Sequence, residues 1–334
     1  MSPTGKDNCR SILFVGYALT AIAILIKSLS MLITSRVIAG LTAGSQPVAQ
    51  AAIIDLSSNE TKTKNLSLIM FSFSLGMIAG PIITSACSAL SIYKSFSLQM
   101  PFYLIMLLCV FCYALIYRYY TNSTRVVTTG TIKFDYHDLY RQFSIIFTNK
   151  NLLITSSSFF FMQFAFNTFY VFISVFMFKA YDFSTFENGL NFFSMGLAMA
   201  LSNLLLVPMI SQRHCKKNAI RKSLFLMVAA LIPFYLKNEI LAIFCCSAFV
   251  VFFAIAYTNM LSLFSDCVTS DKQGWVMGIS VSIFTLASFF TSIFTPMLFN
   301  INIMSPIDVT VIGCAIAYFV LMKLQNASHI DERK

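Results

Sequence analysis

The chain has 334 residues, a formal net charge of +10, 57% hydrophobic and only 11% charged residues, and a mean hydropathy of +0.77. A water-soluble domain carries about a quarter charged residues, so a soluble globule of this length could not cover its surface, whereas a chain solvated by lipid can. The positive charge falls between apolar runs and not on a polar segment long enough to form a basic face, which excludes nucleic acid as a partner.

A membrane crossing needs about 20 apolar residues. Ten stretches qualify, in chain order 11–28, 30–54, 66–87, 99–117, 151–178, 188–210, 223–236, 240–264, 275–299 and 307–324. The first follows Lys6 and Arg10 and reads as a membrane helix, because more apolar runs follow at once and no small-residue cleavage site is present. The stretches 11–28 and 223–236 are short and need basic side chains that snorkel at their ends. With the N-terminus inside, ten crossings place eighteen lysines and arginines in cytoplasmic segments. Four (Lys27, Lys94, Lys179 and Lys237) fall outside, and Arg36 falls within the membrane. That bias supports both the count and the orientation, with both termini cytoplasmic.

The longest polar segment, 118–150, separates four spans from six, and residues 135–143 alternate enough to form a short interfacial helix. The expected organisation is an incomplete bundle over 1–117, a cytoplasmic linker over 118–150, a six-helix bundle over 151–325 and a cytoplasmic tail over 326–334.

Little in the chain suggests bond-making chemistry. The nine cysteines are scattered, and several, including the one C-x-x-C pair (Cys109 and Cys112), lie inside apolar runs, where cysteine behaves as a small hydrophobe. His137, His214 and His329 are far apart and do not recur at metal-ligand spacing. No catalytic triad, metal constellation or phosphate-cradling glycine loop is present, so no catalytic residue, metal or cofactor is expected. ATP-driven transport would need a separate subunit.

Polar residues inside apolar spans carry the functional signal, because such groups are costly in lipid and face a cavity or a partner helix. At 100° per residue, Arg36, Gln46 and Gln50 share an arc of about 80° on the second span. Gln163, Asn167, Tyr170 and Ser174 form a narrower stripe on the fifth, and Asn259, Ser262 and Asp266 a third on the eighth. Arg36 either snorkels to the outer surface or faces a cavity; each stripe serves either helix–helix hydrogen bonding or a cavity wall. Phe159, Phe160, Phe161, Phe164 and Phe166 can line such a cavity or face lipid. Gly76 and Gly80, four apart, leave a groove for close helix approach, and Pro81 removes a backbone hydrogen bond; Gly189, Gly196 and Ala200 are small residues of the sixth span.

The run Arg36-Val37-Ile38-Ala39-Gly40, followed by Gln46-Pro47, Asp55 and then Gly76-x-x-x-Gly80-Pro81, resembles the fourth and fifth helices of major facilitator transporters. The resemblance is especially to the drug/proton antiporter branch that includes tetracycline exporters. The usual glycine pair after the proline is here Thr84-Ser85, and Thr4-Gly5-Lys6-Asp7-Asn8-Cys9-Arg10 looks like only the tail of that family's loop signature. A weak internal repeat, Asp55 with Gly80-Pro81 against Asp266 with Thr295-Pro296, falls where the family's parallel repeat implies. The resemblance implies an all-α, polytopic, major-facilitator-like bundle with about ten of the usual twelve helices, the first two lacking.

It further implies a secondary transporter exporting a small organic solute, coupled to protons, by alternating access. A truncated, non-transporting remnant is the alternative. Residues Arg36, Gln46, Gln50, Gln163, Asn167, Tyr170 and Asn259 would line the substrate cavity. Gly76, Gly80 and Pro81 would form a packing or hinge seam with the sixth span, and Asp55 and Asp266 a cytoplasmic charge network. No Asp or Glu lies well inside any span, so proton coupling rests on the resemblance alone. The expected surroundings are the lipid bilayer of a bacterial cytoplasmic (inner) membrane, and the expected state is a monomer.

Overall fold

The computed structural model describes residues 18–119 apart from 21, 42–44, 59 and 90–99, together with residue 144 and residues 146–331 apart from 237, 270 and 271. The chain divides into two compact units, one of Met1–Gln46 and Ile83–Tyr136, the other of Pro47–Ile82 and His137–Lys334.

In the first unit, residues 18–26 are helical on either side of residue 21, and the chain reverses at Lys27, whose φ of 55° is left-handed. Ser28 donates its backbone N–H to the Ala23 carbonyl at 3.0 Å, satisfying one of the helix-end acceptors. The predicted span 30–54 appears as α1 (Leu29–Leu41) and α2 (Ser45–Asp55), with 42–44 outside the described residues. α2 crosses from the first unit into the second at Pro47. α3 (Lys62–Ala89) lies in the second unit as far as Ile82, and α4 (Met100–Tyr119) matches the predicted span 99–117. The predicted interfacial helix over 135–143 lies outside the described residues.

The rest of the second unit is built around α5 (Lys150–Tyr181). Asn149 starts it: its side-chain oxygen accepts from the backbone N–H of Asn151 and Leu152 at 3.1 and 3.2 Å. Asp182, in the left-handed region, ends it. Then come α6 (Thr185–Arg213), interrupted by a π turn at Ser202–Leu206, and α7 (Lys216–Leu236), whose last turn is 3₁₀. α8 (Glu239–Asp266), α9 (Gln273–Ile301) and α10 (Ser305–Asp331) complete it. Ser184 and Glu187 form a reciprocal capping box at the start of α6, and Asn238 caps α8.

α7 begins at Lys216, seven residues before the predicted start at 223. Hydropathy excludes its charged first turns, yet lysine and arginine are good helix formers, so the helix runs through them.

α5 packs against α6, α8, α9 and α10, and its own apolar side chains fill the core: Phe159, Met162, Phe169, Phe172, Ile173 and Phe176 are fully buried. The α5–α10 seam is tight. A Cβ at Gly313 would lie 3.1 Å from Ala165 Cβ, and Ser158 donates to the Ala317 carbonyl at 2.8 Å. Among the described residues seven helices are long and apolar enough to cross a membrane.

Candidate functional site

α5 and α8 run antiparallel, and their midpoints meet where Phe166 stacks on Phe253 with 9° between the ring planes. From this pair an aromatic ladder runs both ways. Tyr170 touches Phe166 and, across to α6, Phe192; in the other direction Tyr257, Phe159 and Phe264 follow in contact. Heptad-like spacing on α5 places Phe159, Gln163 and Phe166 on one face, so Gln163 belongs to the ladder's level, about 20 Å along the helix.

Gln163 is fully buried, and among the described residues neither atom of its amide has a hydrogen-bond partner. Gln50, on the second-unit part of α2, is equally buried. Its side chain lies beside Tyr257 without closing a hydrogen bond of ordinary length. Asn259, also fully buried, donates to the Ile255 carbonyl of its own helix at 2.8 Å and keeps its amide oxygen unpartnered among the described residues. A buried polar group without a partner costs about 1–3 kcal/mol. The amides of Gln50 and Gln163 and the amide oxygen of Asn259 are held in that condition.

The other predicted site residues are distributed differently. Asn167 is engaged with its neighbour helix, donating to Ser288 Oγ of α9 at 3.0 Å. Tyr170 is half-buried in the ladder, and Ser262 accepts from Thr63 Oγ1 at 2.9 Å, tying α8 to α3. Arg36 and Gln46 are in the first unit. There Arg36 donates to Thr20 Oγ1 at 2.5 Å, Thr20 donates to Ser35 Oγ at 2.9 Å, and Ser35 donates to the Leu32 carbonyl at 2.7 Å. Thr20 and Ser35 are buried, so this relay anchors the arginine's head on the helix-reversal region.

A Cβ at Gly76 or Gly80 would meet nothing within 4 Å. Between them, Ile78 seats itself on Gly196 of α6, where a Cβ would come within 2.7 Å of Ile78 Cγ1 and 3.1 Å of its backbone nitrogen. α3 and α6 therefore meet at this level through the glycine of α6. Pro81 lies inside α3 one turn further on.

Asp266 ends α8 between two lysines: Lys62 Nζ, at the start of α3, is 3.0 Å from Oδ1, and Lys216 Nζ, at the start of α7, is 2.5 Å from Oδ2. Asp55 is exposed at the end of α2.

Sequence reasoning missed one polar centre. Asn203, in the π turn of α6, is fully buried and donates to Ser74 Oγ of α3 at 3.3 Å while accepting from Thr258 Oγ1 of α8 at 3.2 Å. Ser202, next to it, donates to the Val251 carbonyl at 3.1 Å. Asn203 stands alone among leucines in the run Leu201-Ser202-Asn203-Leu204-Leu205-Leu206, and that isolation was the available signal.

Long apolar helices, glycine-mediated seams and buried amides at mid-depth define a multi-pass helical membrane protein with a polar interior. Residues 6–323 match the Major Facilitator Superfamily, and the chain belongs to that family, one of transporters rather than enzymes. A 66-residue stretch is 32% identical to the tetracycline resistance protein, class C, of Escherichia coli, covering 20% of this chain and 17% of that relative's length. Solved structures share the fold. The human organic anion transporter MFSD10 (TETRAN) superposes with a TM-score of 0.79 at 18% identity, over 94% of this chain and 75% of its own. FucP, in the outward conformation, gives 0.71 at 12% identity, over 95% and 81%. The proton:xylose symporter XylE gives 0.70 at 14% identity, over 96% and 80%.

Proposed function

We propose that the chain acts in secondary active transport of a small organic solute by alternating access, and that the solute is exported in exchange for protons. The observation that carries the reading is the buried, unpartnered amide of Gln163 beside the Phe166–Phe253 stack. A transport site must hold its cargo without covalent chemistry and release it again, and neutral amides with aromatic walls do that. Gln50, Gln163, Tyr170 and Asn259 are the proposed contacts; Asn167 acts through its bond to α9.

Drug-type export is favoured by the similarity to the tetracycline resistance protein and by the arginine–glycine and glycine–proline runs of α1 and α3. The proposed divisions, 1–117 and 151–325 joined by 118–150, are the two bundles whose rocking the family mechanism requires. Arg36 and Gln46 are carried as cavity residues, and Asp55 with Asp266 as a cytoplasmic charge network, on the resemblance. The proposed setting is a bacterial cytoplasmic membrane with both termini on the cytoplasmic side and a monomeric working unit.

The test is tetracycline accumulation in everted membrane vesicles from cells expressing the chain, with and without a proton gradient. Gradient-dependent uptake that falls at least tenfold in Gln163→Ala, at equal membrane content, supports the reading. Absence of gradient-dependent uptake across tetracycline and a panel of flat organic cations and anions rejects it.

A further inference from the structure

At the basic end of the second unit, the outer faces of α7 and α10 enclose a cleft of about 390 Å³. It is lined by Arg221, Lys222, Phe225, Leu226 and Tyr318. We infer that this cleft is a binding site for an anionic glycerophospholipid, its phosphate held by Arg221 and Lys222 and its acyl chains laid along Phe225 and Leu226.

The first argument is composition at the right depth. Arg221 and Lys222 lie in the second turn of α7, about 8 Å from its start, which is headgroup depth for a helix entering the membrane. One turn further in, Phe225 is 61% and Leu226 39% exposed, and Phe319 on α10 is 65% exposed. On an apolar span such exposure faces hydrocarbon. Tyr318, half-buried at the same level, is the amphipathic side chain that membrane interfaces favour. No carboxylate is among the lining residues.

The second argument is electrostatic and independent of the cleft. α7 opens with Lys216 and Lys217 and continues with Arg221 and Lys222, with no acid in its first turn and no side-chain cap on its N-terminus. Cations are unfavourable at a helix N-terminus, whose backbone dipole is already positive there. Lys216 is neutralised by Asp266. A phosphate bound in the cleft would meet two cationic side chains at once, as anionic headgroups do in basic clefts between membrane helices. A free phosphate would satisfy the cations and leave the apolar lower wall unused, so the lipid is the occupant assigned.

The inference does not depend on transport and is tested without it. The purified, delipidated protein is titrated in detergent with phosphatidylglycerol, phosphatidylcholine or inorganic phosphate, and bound lipid is counted by native mass spectrometry. Phosphatidylglycerol is expected to occupy one tight site that phosphatidylcholine fills at least tenfold more weakly. Arg221→Gln with Lys222→Gln is expected to weaken phosphatidylglycerol about 30-fold. Phe225→Ala is expected to weaken it severalfold with both cations retained, and Lys150→Gln, at the same end of the bundle, less than twofold. Thermal melting confirms that each variant is folded; if the double variant is not, Lys222→Gln with Phe225→Ala carries the comparison. Equal occupancy by the two lipids, or an equal loss in Lys150→Gln, would overturn the proposal. So would displacement of phosphatidylglycerol by equimolar inorganic phosphate, which would make the cleft a free-anion site.

Discussion

Lys62 and Asp266, 204 residues apart in the chain, meet at 3.0 Å, and the second oxygen of the same carboxylate takes Lys216 at 2.5 Å. One aspartate thus joins the starts of α3 and α7 to the end of α8, and Thr63 reinforces the first of these joints through Ser262. Lys62 is nearly buried, its side chain 8% exposed, whereas Asp266 is 36% exposed, so solvent screens the pair substantially.

Asp266→Asn should therefore lower apparent stability more than Lys62→Met, because it leaves a nearly buried ammonium without its carboxylate. A double-mutant cycle between Lys62→Met and Asp266→Asn, followed by the fluorescence of the single tryptophan, Trp275, during denaturation in detergent, should give a coupling of about 1 kcal/mol. Additive effects would mean the pair contributes nothing.

The α3–α6 seam predicts an asymmetry among glycines. Gly196→Ala places a methyl against Ile78 and should destabilise by about 1–3 kcal/mol, since the backbone nitrogen at 3.1 Å cannot move aside as a side chain can. Gly76→Ala and Gly80→Ala enter open space and should be neutral or stabilising by up to about 1 kcal/mol through helix propensity. Thermal denaturation of the three variants side by side checks the order.

These contacts mark how far the sequence could be read. Apolar run length located the helices from Lys62 onward to within a few residues, because lipid imposes that length on every crossing, except at the charged start of α7 and the end of α10, each seven residues beyond the apolar run. The stripe containing Gln163 was visible because a polar side chain in an apolar helix stands out at 100° per residue. Periodicity describes one helix at a time, however, and says nothing about which helix it faces. The bond from Asn167 to Ser288, the seating of Ile78 on Gly196 and the meeting of Lys62 with Asp266 are all products of tertiary packing. The π turn carries no periodic signature at all.

Asn203 should behave as a three-helix pin. Asn203→Ala removes the donor to Ser74 and the acceptor of Thr258, and is expected to cost about 1–3 kcal/mol. Combining Asn203→Leu with Thr258→Val, which removes both partners, should be milder than Asn203→Leu alone. Denaturation in detergent, read as above, decides it; equal losses would remove the hydrogen bonds from the account.

The cysteines offer a chemical readout of the same end of the bundle. Cys215 is exposed in the turn before α7, whereas burial pushes the Cys267 thiol up from its ordinary value, leaving little thiolate at neutral pH. N-ethylmaleimide at pH 7 should label Cys215 well before Cys267. Raising the pH should speed Cys267 over the range in which Cys215 has already reacted, as seen by peptide mass spectrometry of quenched samples. Equal rates at pH 7 would contradict the burial of Cys267.

The π turn at Ser202–Leu206 also fixes a count. Its i→i+5 hydrogen bonds hold one residue more than the α-helix on either side. A chain shorter by one residue here would close into uninterrupted α-helix, rotating everything from Val207 to Arg213 by about 100° and drawing it back by about 1.5 Å. The turn at His214 and Cys215 would then launch α7 from a different azimuth. Spacing between Gly196 and Lys216 is accordingly under tighter constraint than the identity of most residues within it, and descendants of this chain should vary there by substitution and not by insertion or deletion.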